Sequence, residues 1–248
     1  MATSTVAGET RFARYAYPPN ELGYCGPDGA EVLLEAAAGG AAGDVRDRAR
    51  SFDGAWVYLE IIAAAAGIAD PLDDRVVEAY WVGNALLDTV DPAAFADRAR
   101  TAFAGESGAD WRTLDCRSPH PVPHHSFQVF AVYPWVALLG RGDTARHVLD
   151  RCRIRTGVVT AVAEEHVEVA GRPLTWDGAR LALGDPVDES VRWADDGRAL
   201  SGRQPLRGGD RIALHWDWVC DRLSVEQAEA CDAVTQRQLD LTNRVLTG

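Results

Sequence analysis

The residues best suited to chemistry are concentrated in one segment, 116–128, which reads CRSPHPVPHHSFQ. It holds three prolines and three histidines, His120, His124 and His125. Prolines restrict the backbone toward extended geometry, so the imidazoles lose less entropy on binding. A neutral imidazole can bind a metal ion or act as a base. On extended backbone, adjacent side chains point to opposite sides, so only one of His124 and His125 faces a given site. The alternative is that this pair bonds backbone carbonyls or caps the following helix.

A histidine that acts as a base needs a carboxylate partner, and Asp53 and Asp70 are the candidates. Each stands where a helix is predicted to begin, among apolar or aromatic neighbours. At a helix start, an aspartate can instead serve as an N-cap, because its side chain accepts a hydrogen bond from a free backbone N–H. We therefore predict a catalytic set drawn from His124, His125, Asp70 and Asp53, with N-capping as the alternative for both aspartates.

The five cysteines, at 25, 116, 152, 220 and 231, are odd in number and include no C-x-x-C pair. This spacing indicates free thiols rather than a disulfide framework or a cysteine-rich zinc site. Cys25 lies in the string RFARYAYPPNELGYCGP, which we expect to form an irregular arm that packs on the protein or lines a pocket. The motifs of P-loop, dinucleotide-binding, serine-hydrolase and zincin enzymes do not occur in the sequence.

The composition is that of a folded globular protein. The chain has 248 residues, 47% hydrophobic and 25% charged, with a net charge of -12 and arginine as its only strongly basic residue. The acidic balance disfavours nucleic acid and anionic membranes as partners, because both attract basic surfaces. No apolar stretch approaches the ~18 residues of a membrane span, and the first twenty residues lack a signal-peptide pattern. We expect a cytoplasmic protein.

Two kinds of local pattern divide the chain. Residues 1–147 hold apolar runs with helical spacing, separated by glycine and proline breaks, at 32–38, 56–66 and 76–87. Residues 148–248 hold short β-branched or alternating segments between Gly and Asp turns, at 152–162, 166–170, 172–176, 179–183, 191–193 and 211–219. Ser224 and Gln227 then form a capping box for a last helix. We predict an α+β fold of two domains, an orthogonal helical bundle followed by a small OB-like β-barrel with a C-terminal helix.

Three short motifs follow one another in the second half. A glycine stands five residues after Cys152, the segment Gly209-Asp-Arg-Ile-Ala-Leu-His215 runs from a Gly-Asp turn to a histidine, and an acidic, alanine-rich helix begins after Leu223. In order and spacing these motifs resemble the HypC/HupF family of hydrogenase-maturation chaperones, so the barrel is expected to be HypC-like. Two features depart from that family: Cys152 is internal rather than N-terminal, and Arg-Thr replaces the family's Ile-Pro.

The resemblance implies a metal-binding role for two residues. In that family the cysteine helps to carry an iron centre toward the large subunit of a nickel-iron hydrogenase. By analogy, Cys152 and His215 are expected to meet on adjoining strands and to bind a metal centre. The implied cofactor is iron bound transiently, and the implied partner is a hydrogenase large subunit or another maturation factor.

Longer stretches of the chain are similar to a second set of proteins. Arg14-Tyr-Ala-Tyr-Pro-Pro-Asn, Val77-Glu-Ala-Tyr-Trp-Val-Gly-Asn84, His124-His-Ser-Phe-Gln-Val-Phe and His215-Trp-Asp-Trp-Val-Cys-Asp resemble an uncharacterised actinobacterial family found with hydrogenase genes. Similar proteins also occur with aziridine-forming pathways of the azinomycin type, in which an amine closes a ring as a sulfate-like group leaves.

Three functions follow from these patterns. We predict an accessory protein for nickel-iron hydrogenase maturation that binds a metal centre or a precursor subunit. The alternative is a biosynthetic enzyme for a small-molecule substrate, with a histidine–aspartate pair between the two halves. A third possibility is a small structural partner subunit, which exposed tryptophans would favour.

Overall fold

The computed structural model describes residues 2–40, 43–106, 109–116, 119–202 and 204–247. The α-helices of these ranges are α1 (Ala2–Glu21), α2 (Glu31–Ala37), α3 (Val45–Arg50), α4 (Asp53–Ala65), α5 (Asp74–Trp81), α6 (Pro92–Ala102), α7 (His125–Phe127), α8 (Asp143–Cys152) and α9 (Val225–Thr247). One π-helical turn, Gln128–Val132, follows α7 directly. Short 3-10 helices lie at Ala85–Thr89, Trp111–Asp115 and Val136–Leu138. None of the described helices combines the length and apolar character needed to cross a bilayer.

In the described part of the chain, nine strands follow α8. They are β1 (Arg155–Val162), β2 (His166–Gly171), β3 (Leu174–Trp176), β4 (Leu181–Leu183), β5 (Val187–Arg192), β6 (Ala194–Asp195), β7 (Arg198–Ala199), β8 (Arg211–His215) and β9 (Trp218–Arg222). Five of them pair in the order β1-β2-β5-β9-β8, and β8 pairs again with β1. The link between β5 and β9 is one parallel residue pair, Arg192 with Trp218, whereas the other links are antiparallel ladders of four or more pairs. The α+β class and the order of helices before the sheet are confirmed.

The predicted helical runs of the N-terminal half are found as helices, but one of them is divided in two. The run predicted at 76–87 is split into α5 and a 3-10 helix, because Gly83 adopts a φ of +97°. A side chain at Gly83 would also approach Val234 of α9 to 2.9 Å, so glycine lets α9 pack closely here. The predicted capping box of α9 is confirmed, since Gln227 N donates to Ser224 Oγ and Ser224 N donates to Gln227 Oε1. Whether the helices form an orthogonal bundle stays a prediction.

Three local expectations were wrong. The N-terminal string is not irregular throughout, because α1 continues to Glu21 and contains both Pro18 and Pro19. Cys152 does not begin a strand; it is the last residue of α8, and β1 begins at Arg155. The segment 211–219 is not one strand, because a turn with a φ of +53° at Trp216 divides it into β8 and β9.

One hydrophobic core joins the helices to part of the sheet. It contains side chains from α1, α4 and α5 together with Ala213 of β8 and Trp218 of β9. The α1 helix also reaches the sheet through ion pairs from Arg11 and Arg14 to Asp221 of β9, at 3.0 and 2.8 Å. The division at residue 147 stays a prediction; it falls inside α8, and the core runs across it. The seam between α1 and the β8–β9 hairpin positions the site described next.

Candidate metal centre

A cavity of about 210 Å³, partly open to solvent, lies at this seam. Its wall is aromatic and apolar for the most part, with Tyr80, Trp81 and Phe103 from the helical half. Polar and ligand-type groups also face it, including His125, Cys152, His215, Cys25 and Gln128, and the exposed carboxylates of Asp53 and Glu106 lie at its border. The cavity therefore gathers sulfur and nitrogen groups from distant parts of the sequence into one desolvated space.

Three of these side chains come close enough to share a metal ion. His125, Cys152 and His215 each offer one ligand atom, and these atoms all lie within 4.8 Å of one another. The exposed fractions of the three residues are 5%, 8% and 0%. They come from three elements, the first residue of α7, the last residue of α8 and the last residue of β8. Trp81 packs against both imidazoles, with ring centroids 4.6 Å from His125 and 5.6 Å from His215.

A proline in α1 fixes the tautomer of His215. In a regular α-helix the carbonyl of Tyr15 would accept from the N–H of residue 19, but Pro19 has no N–H. The freed Tyr15 carbonyl lies 2.7 Å from Nδ1 of His215. Because a carbonyl can only accept, Nδ1 carries the hydrogen and Nε2 keeps a lone pair. His215 Nε2 is buried and has no hydrogen-bond partner.

A helix end fixes the tautomer of His125 in the same way. The last carbonyls of an α-helix lack helical partners, and Cys152 is the last residue of α8. Its carbonyl lies 2.8 Å from Nε2 of His125, so Nε2 carries the hydrogen and Nδ1 keeps the lone pair. The Tyr80 hydroxyl lies 3.2 Å from that Nδ1 but donates its single hydrogen to the Gly54 carbonyl at 2.7 Å.

Burial keeps both imidazoles neutral. Desolvation lowers the pKa of His125 to about 4, and it lowers the pKa of His215 well below its ordinary value, with a second contribution from neighbouring His125. Burial raises the pKa of the Cys152 thiol, and the nearby Cys25 raises it further. A bound cation would reverse the balance at the thiol, because metal binding requires the thiolate and releases its proton.

The donor set fits a borderline-soft metal ion. One sulfur and two imidazole nitrogens suit zinc and its late first-row neighbours, whereas magnesium and calcium prefer oxygen. Histidine ligands of metal sites usually donate their other N–H to a carbonyl or a carboxylate, and the carbonyls of Tyr15 and Cys152 supply this here. Three protein ligands beside a cavity leave a fourth position open.

Comparison with known proteins places the chain in a family. The profile of a family of unknown function, DUF6390, matches residues 4–248. The chain belongs to the DUF6390 family. Neither the curated proteins nor the solved structures include a match to it. Because the DUF6390 description carries no activity, the resemblance to the HypC/HupF chaperones stays a prediction.

In this DUF6390 chain, the structure treats the two predicted metal ligands and the two predicted catalytic histidines differently. Cys152 and His215 lie together, and His125 joins them although the sequence suggested it only as a base. His124 caps α7, because its Nδ1 accepts from Ser126 N at 3.0 Å. Burial lowers the pKa of His124 to about 3.

The two predicted carboxylate partners, Asp70 and Asp53, have different surroundings. Asp70 forms a two-pronged ion pair with Arg46, at 3.0 and 2.9 Å, and also accepts from Leu72 N. Asp53 is exposed at the border of the cavity and is the first residue of α4, whose N-cap is Phe52. Among the residues that the structure describes, neither aspartate has a recorded hydrogen bond to His124 or His125.

Sequence reasoning missed the supports of the site. The adjacent prolines of α1 were a visible signal, because a proline within a helix frees the carbonyl four residues before it. Nothing local indicated that Tyr58 of α4 would donate to Gln128 Oε1 at 2.8 Å, in a buried hydrogen bond beside the cavity. Such a pairing joins residues 70 positions apart and depends on packing alone.

Proposed function

We propose that this chain is a metal-handling protein that holds one late first-row transition metal ion between His125, Cys152 and His215. The observation that carries the proposal is the convergence of three ligand atoms within 4.8 Å of one another in a buried cavity. The fixed tautomers add support, because each imidazole turns a lone pair, rather than an N–H, away from the carbonyl that orients it.

The more specific role is an accessory protein of nickel-iron hydrogenase maturation. The resemblance to HypC/HupF chaperones requires the thiol at 152 and the imidazole at 215 to meet, and the distance between them supports this step. The curled sheet would correspond to the OB-like barrel, although Cys152 ends a helix here. The cargo would be iron, which nitrogen and sulfur ligands accept, and the partner would be the large subunit or another maturation factor.

A biosynthetic enzyme is the second candidate, favoured by the cavity volume of about 210 Å³ beside the ligand atoms. An open fourth coordination position could take an oxygen or nitrogen atom of a small substrate. The aziridine-forming version needs a histidine–aspartate base, and the hydrogen bonds of His124 and Asp70 go to Ser126 and Arg46 instead. A structural partner subunit has less support, since none of the eight tryptophans, all within the described ranges, is exposed.

The metal proposal is tested by equilibrium binding. The chain is stripped with a chelator under anaerobic conditions and titrated with Zn²⁺ against a competing indicator. We expect one equivalent to bind, and His215→Asn to weaken binding at least about tenfold. His120→Asn is the matched control, because His120 lies outside the cavity. Equal affinities for the wild type and His215→Asn, with folding verified by circular dichroism, would refute the site.

The hydrogenase role has its own test. The tagged chain is purified anaerobically from cells that express a nickel-iron hydrogenase precursor. We expect the large subunit and iron to co-purify with the wild type and not with His215→Asn. Recovery of neither from the wild type would reject the hydrogenase role and leave the metal site to be decided by the titration.

A further inference from the structure

A nine-residue strap, residues 22–30, joins α1 to α2 and brings a fourth ligand-type side chain to the cavity. Cys25 of this strap lines the same cavity as His125, Cys152 and His215. Its thiol does not belong to the group of ligand atoms within 4.8 Å of one another, so it lies further out. The strap is therefore the part of the cavity wall that could complete the coordination of a bound ion.

The strap is attached to the protein at Cys25 and at the two residues that follow it. The side-chain amide of Asn20, buried at the end of α1, donates to the carbonyls of Cys25 and Pro27, each at 2.8 Å. Gly26 has a φ of +83°, and a Cβ there would lie 2.2 Å from the Phe52 ring. Only glycine fits both the conformation and the contact, so the backbone beside Cys25 rests directly on the cavity wall.

The strap also contacts the turn that follows His215. Tyr24 stacks on Trp216, with ring centroids 4.5 Å apart and an angle of 29° between the planes. Tyr24 is 64% exposed, whereas Trp216 is buried. This stacking connects the exposed part of the strap to the turn between β8 and β9, directly after His215.

Cys25 and Cys152 line the same cavity. Burial raises the pKa of Cys25 to about 12, and Cys25 in turn raises the pKa of Cys152. Two thiolates without a cation would repel each other in this desolvated space. A divalent ion removes that penalty, because two thiolates and two neutral imidazoles around a +2 charge form a neutral centre. With Cys152 as the only thiolate, the centre would keep a net charge of +1, which a second thiolate in the cavity neutralises more directly than the exposed carboxylates of Asp53 and Glu106 at the cavity border.

We propose that Cys25 is the fourth ligand and that the loaded centre is a tetrahedral Cys₂His₂ site for a Zn²⁺-type ion, closed by the strap. This inference rests on the proposed metal-binding function and names the coordination of that same site. On loading, two S–H bonds give way to two sulfur–metal bonds, and two protons pass to solvent. The strap must move inward, and its reverse movement is the release path for the ion.

Cobalt spectroscopy counts the thiolates. Co²⁺ bound to thiolate gives a near-ultraviolet charge-transfer band whose intensity rises with the number of sulfur ligands. We expect Cys25→Ser and Cys152→Ser each to keep about half of the wild-type intensity per bound cobalt, and the double variant to lose the band. Cys116→Ser is the control and should keep the full intensity, since Cys116 lies outside the cavity.

The outcomes separate the two proposals. If Cys25→Ser keeps the full band, or Cys152→Ser alone abolishes it, Cys25 is not a ligand and only this inference fails. If the wild type binds no cobalt, the proposed function fails as well. A measurement on the wild-type chain tests the inference even if the variants fold poorly. Zn²⁺ should slow alkylation of Cys25 and not of Cys116, as measured by mass spectrometry of the labelled peptides. Equal alkylation of Cys25 with and without Zn²⁺ would also overturn the inference.

Discussion

Among the residues that the structure describes, cysteine and histidine side chains line the same hollow at two places, and their ligand atoms form a three-residue cluster at one of them. The cavity assembles Cys152, His125 and His215 from three distant elements. An open depression on the outer surface instead brings together Cys116 and His120, which lie close in the sequence. Residues that are close in sequence therefore line the surface depression, whereas packing of remote segments assembles the three-residue cluster in the cavity.

The two places differ in what surrounds the ligand atoms. In the cavity, burial and two backbone carbonyls hold neutral imidazoles in fixed tautomers. In the depression, both Cys116 and His120 are half-buried, and the Cys116 thiol donates to the carbonyl of Arg112 at 3.8 Å. The His120 carbonyl accepts from Arg237, which fixes its backbone. Burial of the ligand atoms and fixed orientation of their side chains, more than residue type, distinguish a candidate metal site from residues that merely lie close together.

The largest expected difference between the two places is in thiol reactivity. Cys152 should react with a disulfide reagent at least about a hundredfold more slowly than Cys116, because local opening that costs only about 3 kcal/mol already gives that factor. Peptide mapping after timed labelling of the metal-free chain measures both rates together. Similar rates at the two cysteines would mean that the cavity is open to reagents and would remove the contrast.

Metal binding should stabilise the fold through the cavity alone. At a free Zn²⁺ concentration one hundred times the dissociation constant, the gain is about 2.7 kcal/mol. For a chain of this size we expect the melting temperature to rise by about 5–10 °C. Calorimetry should find this rise in the wild type and in His120→Asn, and should find most of it lost in His125→Asn. A rise that survives in His125→Asn would assign the stabilisation to another site.

The hydrogen bond beside the cavity should contribute a smaller amount. Tyr58→Phe removes the hydroxyl that donates to Gln128 Oε1 and leaves a buried acceptor without that donor. We expect a loss of about 1–2 kcal/mol in the free energy of unfolding, measured by urea denaturation. The aromatic ring is kept, so packing changes little. No loss at all would show that Gln128 finds another donor or that water reaches the cavity.

The ion pair at the depression should contribute least. Arg100 and Asp115 lie 2.6 Å apart, but their side chains are 39% and 72% exposed. Water and salt screen such a pair, so Arg100→Ala should lower the free energy of unfolding by less than about 0.5 kcal/mol. The same urea experiment provides the comparison with Tyr58→Phe. If the alanine variant loses more than the phenylalanine variant, the surface depression is more rigid than its exposure indicates.

Local patterns predicted most of the fold. Helical spacing and the capping box at Ser224 gave the helices, and short alternating segments gave the strands. The patterns failed at Cys152 and Trp216, where a helix end and a turn replaced predicted strands. Both changes arise from tertiary contacts: Trp216 N donates to the Arg151 carbonyl at 2.7 Å, tying the β8–β9 turn to the end of α8. No spacing rule encodes such a bond.

The candidate site could be predicted only in part. Cys152 and His215 were identified through a resemblance, and His125 through residue type, but their convergence with Cys25 depends on how α1 meets the hairpin. Separations of 27 residues between His125 and Cys152, and of 200 between Tyr15 and His215, are beyond any local pattern. The catalytic role of Asp53 and Asp70 stays a prediction; neither is the N-cap of α4 or α5, where Phe52 and Asp73 hold that position.

The absence of a backbone N–H at Pro19 leads to an expectation about other members of the family. The proline weakens α1 by one internal hydrogen bond, and selection for helix stability alone would remove it. An imidazole at position 215 gives the freed Tyr15 carbonyl a hydrogen-bond partner, which offsets this loss. In other members of the family, Pro19 and His215 should therefore be inherited together, and a lineage that loses the histidine should be free to replace the proline.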